Sequence, residues 1–177
     1  EFGSFDHAYR MLRLPIVFVG AAIGQVLFRK CTTLIQEKKP IFPMVFKIVQ
    51  LLVAISVVPL FLIGLYGSDL FVFVFGQKWQ QSGEMATLMI PWLMMNFITS
   101  PISHLPIILS KQRAFFWVNL VGTLSMLLIV SIPYWGIFDL DMYQMIKLLS
   151  FSQSAFLLYV LAWLLWLTKK ADHKPTL

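Results

Sequence analysis

The chain reads as an all-α integral membrane protein of five transmembrane helices, and two observations carry that reading. Five long uncharged stretches crowd into 177 residues: Leu14–Phe28, Ile48–Ser68, Met85–Ser110, Ala114–Phe138 and Leu148–Thr168. A bilayer core of roughly 30 Å takes about 20 apolar residues in a helix, and four of the five stretches reach that length. The second observation is composition, with 59% of residues hydrophobic and 12% charged, against roughly 25% charged in an average soluble domain. Helices of soluble domains need a polar face, and these runs have none. The spans fall at residues 8–35, 44–68, 85–110, 114–137 and 146–168, with no soluble domain between them.

The basic residues set the orientation. The net charge of +6 forms no single patch of the kind that binds nucleic acid. Arg29, Lys30, Lys38, Lys39 and Lys47 lie in the first joint, Lys111 and Arg113 in the third, and Lys169, Lys170 and Lys174 in the tail. The other side holds Arg10, Arg13, Lys78 and Lys147 together with Glu1, Asp6, Asp69, Glu84, Asp139 and Asp141. Short loops rich in Lys and Arg stay in the cytoplasm, so the C-terminus is expected there and the start of the first span outside. No secretory leader pattern opens the chain, which reads as the C-terminal piece of a larger protein.

The first span carries Arg10 and Arg13, three residues apart and so on one face. They either snorkel to the headgroups or face a watery cavity suited to an anionic substrate such as a lipid pyrophosphate. Gly20 and Gly24 form a small-xxx-small face for close helix approach, and Gln25 is a candidate to be satisfied across it. In the second span Pro59 removes a backbone hydrogen bond and is expected to kink the helix. The run Leu70–Gly76 after it is too short to span and reads as an interfacial or re-entrant element anchored by Trp79.

The third span is the most broken, by Pro91, Pro101 and Pro106, and Asn96, Thr99, Ser100, Ser103 and His104 add polar groups. It should face protein or water rather than acyl chains. His104 is the sole ionisable residue within an uncharged run, either a proton-coupling group or a neutral side chain hydrogen-bonded to another helix. Asn119 and Thr123 in the fourth span, and Gln153 and Ser154 in the fifth, suit either a hydrated cleft or interhelical hydrogen bonds.

Catalytic equipment is not evident. The lone Cys31 excludes an internal disulfide and a cysteine-based metal cluster. Asp139-Leu140-Asp141 has the spacing of a metal-binding acidic pair but reads as a solvated loop. With no Ser-His-Asp set, phosphate-cradling loop or metal-spaced cluster, neither an enzyme nor a cofactor or metal is expected.

Several motifs, taken in order, resemble the C-terminal half of polysaccharide transporters of the Wzx-type O-antigen flippase family, in the multidrug/oligosaccharidyl-lipid/polysaccharide exporter superfamily. The stretch from Glu1-Phe2-Gly3-Ser4-Phe5 through Ala8, Arg10, Arg13 and Leu14-Pro15 is similar to the approach to that family's eighth helix. Gln25-Val26-Leu27-Phe28 resembles its end, Phe75-Gly76-Gln77-Lys78-Trp79 the element after the ninth, and Leu109-Ser110-Lys111-Gln112-Arg113 the turn between the tenth and eleventh. The resemblance implies the C-terminal part of a twelve-helix, two-lobe MATE-like transporter in the bacterial inner membrane. Such proteins flip undecaprenyl-pyrophosphate-linked oligosaccharide by alternating access. Its partners would be the bilayer, the lipid-linked oligosaccharide, the N-terminal lobe and polysaccharide polymerase machinery, with no nucleic acid.

The candidate substrate residues on this reading are Arg10, Arg13, Gln25, Asn96 and Asn119. His104 is the candidate for ion coupling, and Pro59, Pro91, Pro101 and Pro106 are candidate gating kinks. The competing readings are a multidrug or cation antiporter of the same superfamily, a noncatalytic scaffold for polysaccharide assembly, and an integral-membrane glycosyltransferase or polymerase.

Overall fold

The computed structural model describes residues 2–135 and 141–173, and every regular element in them is helical. Helix α1 (Phe2–Gln36) and helix α2 (Phe42–Phe75) hold 35 and 34 residues. At 1.5 Å per residue each is roughly 50 Å long, more than the hydrocarbon core requires. A 3₁₀ turn, Gln77–Trp79, leads into α3 (Gln80–Ile102), followed by the short α4 (Leu105–Ile108). Then come α5 (Gln112–Ser131), a second 3₁₀ turn at Ile132–Trp135, and α6 (Met142–His173). Five helical stretches are long and apolar enough to cross a membrane, with α3 and α4 counting as one. The end of the fourth expected span, Asp139-Leu140 and Lys174 lie outside the described residues.

Helix α3 is the hub, and α1, α2 and α6 all pack on it. Cross-contacts fix their directions. Ser4 Oγ donates to Gln81 Oε1 at 3.3 Å, while Gly20 lies against Ser100, so α1 runs parallel to α3. Thr87 Oγ1 donates to Ile63 O at 3.3 Å and Gly67 abuts Gly83, so α2 runs antiparallel. The core collects buried residues such as Leu27, Leu52, Met85, Met89, Ile102 and Leu164. The outside is apolar as well, with Phe18 72%, Phe73 88% and Trp117 63% exposed. A membrane supplies a solvent for such a surface; water does not.

Lipid is as apolar as these side chains, so helix association rests on close packing at small residues. Gly20 and Gly24 do meet α3: a Cβ at Gly20 would stand 2.9 Å from Ser100 Oγ, and one at Gly24 3.4 Å from Pro101 O. Gly122, the one described buried residue of α5, lies against the Phe156 ring on α6. Phe115 stacks on Trp163 beside it, ring centroids 6.3 Å apart.

Three local expectations are corrected. The Leu70–Gly76 run is not re-entrant, because α2 continues through it to Phe75. Nothing in Ser68-Asp69 forces a break, and Gly76 (φ 94°) provides the turn that ends the helix. Non-helical dihedrals inside α2 fall at Tyr66 (φ −126°, ψ 19°), and the helix passes through Pro59 unbroken. Proline removes one hydrogen bond, which a long helix held by its neighbours absorbs. Likewise α3 runs unbroken through Pro91 and ends just after Pro101, while Pro106 starts α4 in the first turn, where proline's missing N–H is no loss. Thr99 Oγ1 donating to Met95 O (2.8 Å) and Ser103 Oγ donating to Ser100 O (2.7 Å) add bonds around this break.

Asp141 serves as the N-cap of α6. Its Oδ1 accepts from Met142 N at 2.7 Å, and its own N donates to Gln144 Oε1 at 3.2 Å, half of a capping box. Replacing Asp141 with alanine should lower thermal stability by about 1 kcal/mol. An unchanged melting temperature in detergent would show that the cap contributes nothing.

Candidate functional site

The end of the bundle opposite the lysine-rich joints is built by the starts of α1, α3 and α6 and the 3₁₀ turn before α3. Two of the motifs singled out from sequence touch here. The His7 ring stacks on Trp79 with centroids 3.7 Å apart, and meets Phe75 edge-on at 4.9 Å and Phe71 at 6.2 Å. Gly76, in a conformation that glycine alone adopts readily, brings Trp79 back over α1. The His7 Nδ1 atom is buried with no hydrogen-bond partner among the described residues. Sequence reasoning passed over His7, although its place between Phe5 and Tyr9 in an aromatic stretch was the available signal. Tyr143 Oη donates to Glu84 Oε2 at 3.0 Å and ties α6 to α3 at the same level.

One turn along α1, aromatic rings form a ladder: Phe5 on Tyr9 at 6.2 Å, and Tyr9 on Trp92 of α3 at 5.4 Å. The Arg13 guanidinium lies 5.4 Å over the Tyr9 ring, a cation–π contact, and no acceptor for its N–H fork occurs among the described residues. Arg10 is engaged otherwise, its Nε donating to Asp6 Oδ1 at 2.9 Å with both side chains exposed. The two arginines therefore differ. Arg13 lies on an aromatic platform with no ion-pair partner among the described residues, and Arg10 carries its own carboxylate.

The other predicted residues do not join them. Gln25 is exposed and turned off the Gly20–Gly24 contact, since one residue on is about 100° round the helix. It is not satisfied across that contact as expected. Asn119 is exposed on α5, and its Nδ2 donates to Phe115 O at 2.8 Å in its own helix. Thr123 and Ser125 do the same, donating to Asn119 O and Gly122 O. The α5 polar groups thus bond within their own helix and do not form the expected interhelical bonds. His104 is exposed in the two-residue turn between α3 and α4, where a Cβ on Gly24 would sit 3.5 Å from its Nδ1.

Helices α3 and α6 also carry buried polar groups. Asn96 is half-buried on α3, and Gln153 is buried on α6 with Nε2 unpartnered among the described residues. Ser82, Ser150 and Ser154 also hold buried hydroxyls without partners among those residues. Measured from the Tyr143–Glu84 contact along two parallel helices, Gln153 falls near Met94, about half a turn from Asn96. An unpaired buried polar group costs about 1–3 kcal/mol, so four along one pair of helices mark a place where partners are wanted. The signal in sequence was Gln153-Ser154 in an apolar span; that both are turned into the bundle was not legible. No group of three or more His, Cys, Asp or Glu able to hold a metal ion occurs among the described residues.

Residues 1–84 match the model of a family described as polysaccharide biosynthesis protein. The matched segment takes in α1, α2, the 3₁₀ turn and the first turn of α3, and so includes His7, Trp79, Arg10 and Arg13. Neither the curated proteins nor the solved structures compared gave a match.

Proposed function

We propose that this chain is part of the second lobe of a membrane transporter that carries a lipid-linked oligosaccharide across the bacterial inner membrane. The cargo is an undecaprenyl-pyrophosphate-linked O-antigen or exopolysaccharide repeat, and the two lobes alternate access to it. The match of residues 1–84 to a polysaccharide biosynthesis family is the observation that carries the reading. Five helices apolar enough to span a bilayer support it. So does the large apolar surface of α1, α2 and α5, which suits lipid on one side and a second lobe on the other.

Within that reading Arg13 takes the pyrophosphate. A guanidinium pairs with phosphate oxygens bidentately, and the Tyr9–Trp92 ladder holds it where acidic groups do not neutralise it. Arg10, tied to Asp6, plays the smaller part. Asn96 and Gln153 line the path between α3 and α6, and His104 is the ion-coupling residue beside α1. The lysine-rich joints and the C-terminus face the cytoplasm.

The test is complementation of a flippase-deleted strain with the gene encoding this chain, scoring surface polysaccharide. Arg13→Ala at normal expression should lower polysaccharide at least tenfold, the equivalent of one charge-assisted hydrogen bond, and Arg10→Ala less. Wild-type output from Arg13→Ala would remove Arg13 from the substrate path. Failure of the unchanged gene in several glycan backgrounds, despite correct insertion, would sink the transport reading itself.

A further inference from the structure

At the end of the bundle away from Arg13, three segments remote in sequence line an open-sided cavity of about 740 Å³. They are the α1–α2 loop, the α4–α5 turn and the last turns of α6, and between them they bring Lys38, Lys39, Lys111 and Lys170 to its walls. Among the described residues the one acid lining it is Asp172, and both its carboxylate oxygens accept backbone hydrogen bonds, from Ile41 N and Phe42 N at 2.9 Å each. Lys39 pairs with Glu37 at 2.7 Å, and Lys170 lies 4.6 Å over the Trp166 ring. Lys38 and Lys111 have no ion-pair partner among the described residues. Four lysines thus line the pocket beside one carboxylate that is committed to backbone donors.

The loops that place these lysines are built alike. Lys39 N donates to Leu34 O (2.8 Å) and Lys38 N to Ile35 O (3.0 Å), a Schellman close to α1. Lys111 N donates to Pro106 O (2.7 Å) and Ser110 N to Ile107 O (3.2 Å), the same close to α4. The left-handed position of this motif is ordinarily glycine, yet here it holds Lys38 (φ 55°) and Ser110 (φ 54°), both on the cavity wall.

We propose that this cavity binds a phosphate-bearing anion. Its volume lies in the range of small-ligand sites, and basic pockets between membrane helices take phosphorylated headgroups. Lysine supplies the point charges for phosphate. The site is separate from the Arg13 ladder and does not depend on the transport reading.

The test uses the full chain in phosphatidylcholine nanodiscs with two probes. Cardiolipin mixed into the disc is read by native mass spectrometry as retained lipid, and free inorganic pyrophosphate is read by calorimetry. Saturable binding of cardiolipin assigns a lipid headgroup; saturable binding of pyrophosphate in phosphatidylcholine alone assigns a free anion. Lys38→Gln with Lys111→Gln should weaken binding about thirtyfold. Lys78→Gln with Lys147→Gln, which removes the same charge elsewhere, should leave it within about twofold. Lys38→Gly relieves the left-handed strain while removing one charge, so it should fold at least as well and still bind about fivefold more weakly. No saturable binding of either probe, or equal loss in both double variants, overturns the proposal.

Discussion

Replacing Asp172 with alanine is expected to lower the stability of the protein by about 3 kcal/mol. Helix α2 begins with Phe42 and carries Pro43 in its first turn, so its start has few donors of its own to satisfy. The Asp172 carboxylate, half-buried near the end of α6, accepts from Ile41 N and Phe42 N at 2.9 Å each. Each bond is charge-assisted, and an acid at a helix N-terminus also meets the positive end of the helix dipole. Loss of the carboxylate strips both donors at once and unpins the α1–α2 loop from α6. Asp172→Asn keeps one acceptor oxygen and should lose about half as much. The measurement is the unfolding midpoint in detergent for the three proteins, and Asp172→Ala within about 0.5 kcal/mol of the parent would show the bridge carries no weight. The same substitutions remove the one carboxylate that lines the pocket among the described residues, so phosphate binding should tighten in Asp172→Asn while stability falls. Opposite signs in the two readings separate the cap from the cavity.

Gly83→Val is expected to cost about 3 kcal/mol or more, because the place for its side chain is already filled by backbone. A Cβ on Gly83 would collide with Gly67 O and with Ser68 Cα at 2.6 Å, and a neighbouring helix backbone cannot rotate aside as a side chain can. Helices α2 and α3 would have to part at their closest crossing, and with them the Thr87 Oγ1 to Ile63 O bond. Gly83→Ala should be milder, its collision partly offset by about 1 kcal/mol of better helix propensity. Gly64→Ala is the control. It lies one turn away in the same interface but meets only the Ile90 Cδ1 methyl at 3.3 Å, which can shift, so its stability should change by less than about 1 kcal/mol. Similar behaviour of Gly64→Ala and Gly83→Ala would mean that the crossing is looser than described.

These two residues show where sequence reading stops. Gly83 stands among polar neighbours, Gln80 to Glu84, and carries no motif; its role exists only because Gly67 faces it from α2. Asp172 looked like a tail acid, and its partners lie about 130 residues back. Gly20 and Gly24, by contrast, announced their contact through spacing alone. Pro59 announced a kink that the structure sets at Tyr66, since a prolyl residue weakens a helix locally but neighbouring helices decide where it bends. His104 and Gln25 were legible as polar residues in apolar runs, yet both are exposed, His104 with its ring beside Gly24 of α1.

What the sequence by itself determined is that the chain makes long apolar helices, with lysines gathered in alternate joints. That follows from local physics, because in a bilayer each backbone amide must be paired within its own segment and charge must stay at the ends. Tertiary structure alone decided that α3 is the hub, that Arg10 is ion-paired while Arg13 lies over Tyr9, and that three distant segments bring four lysines to one cavity. Helices apolar on every side carry no stripe to show which face turns inward. Rotation and register are then set by the shapes that meet, and those belong to pairs of helices rather than to any one stretch of chain.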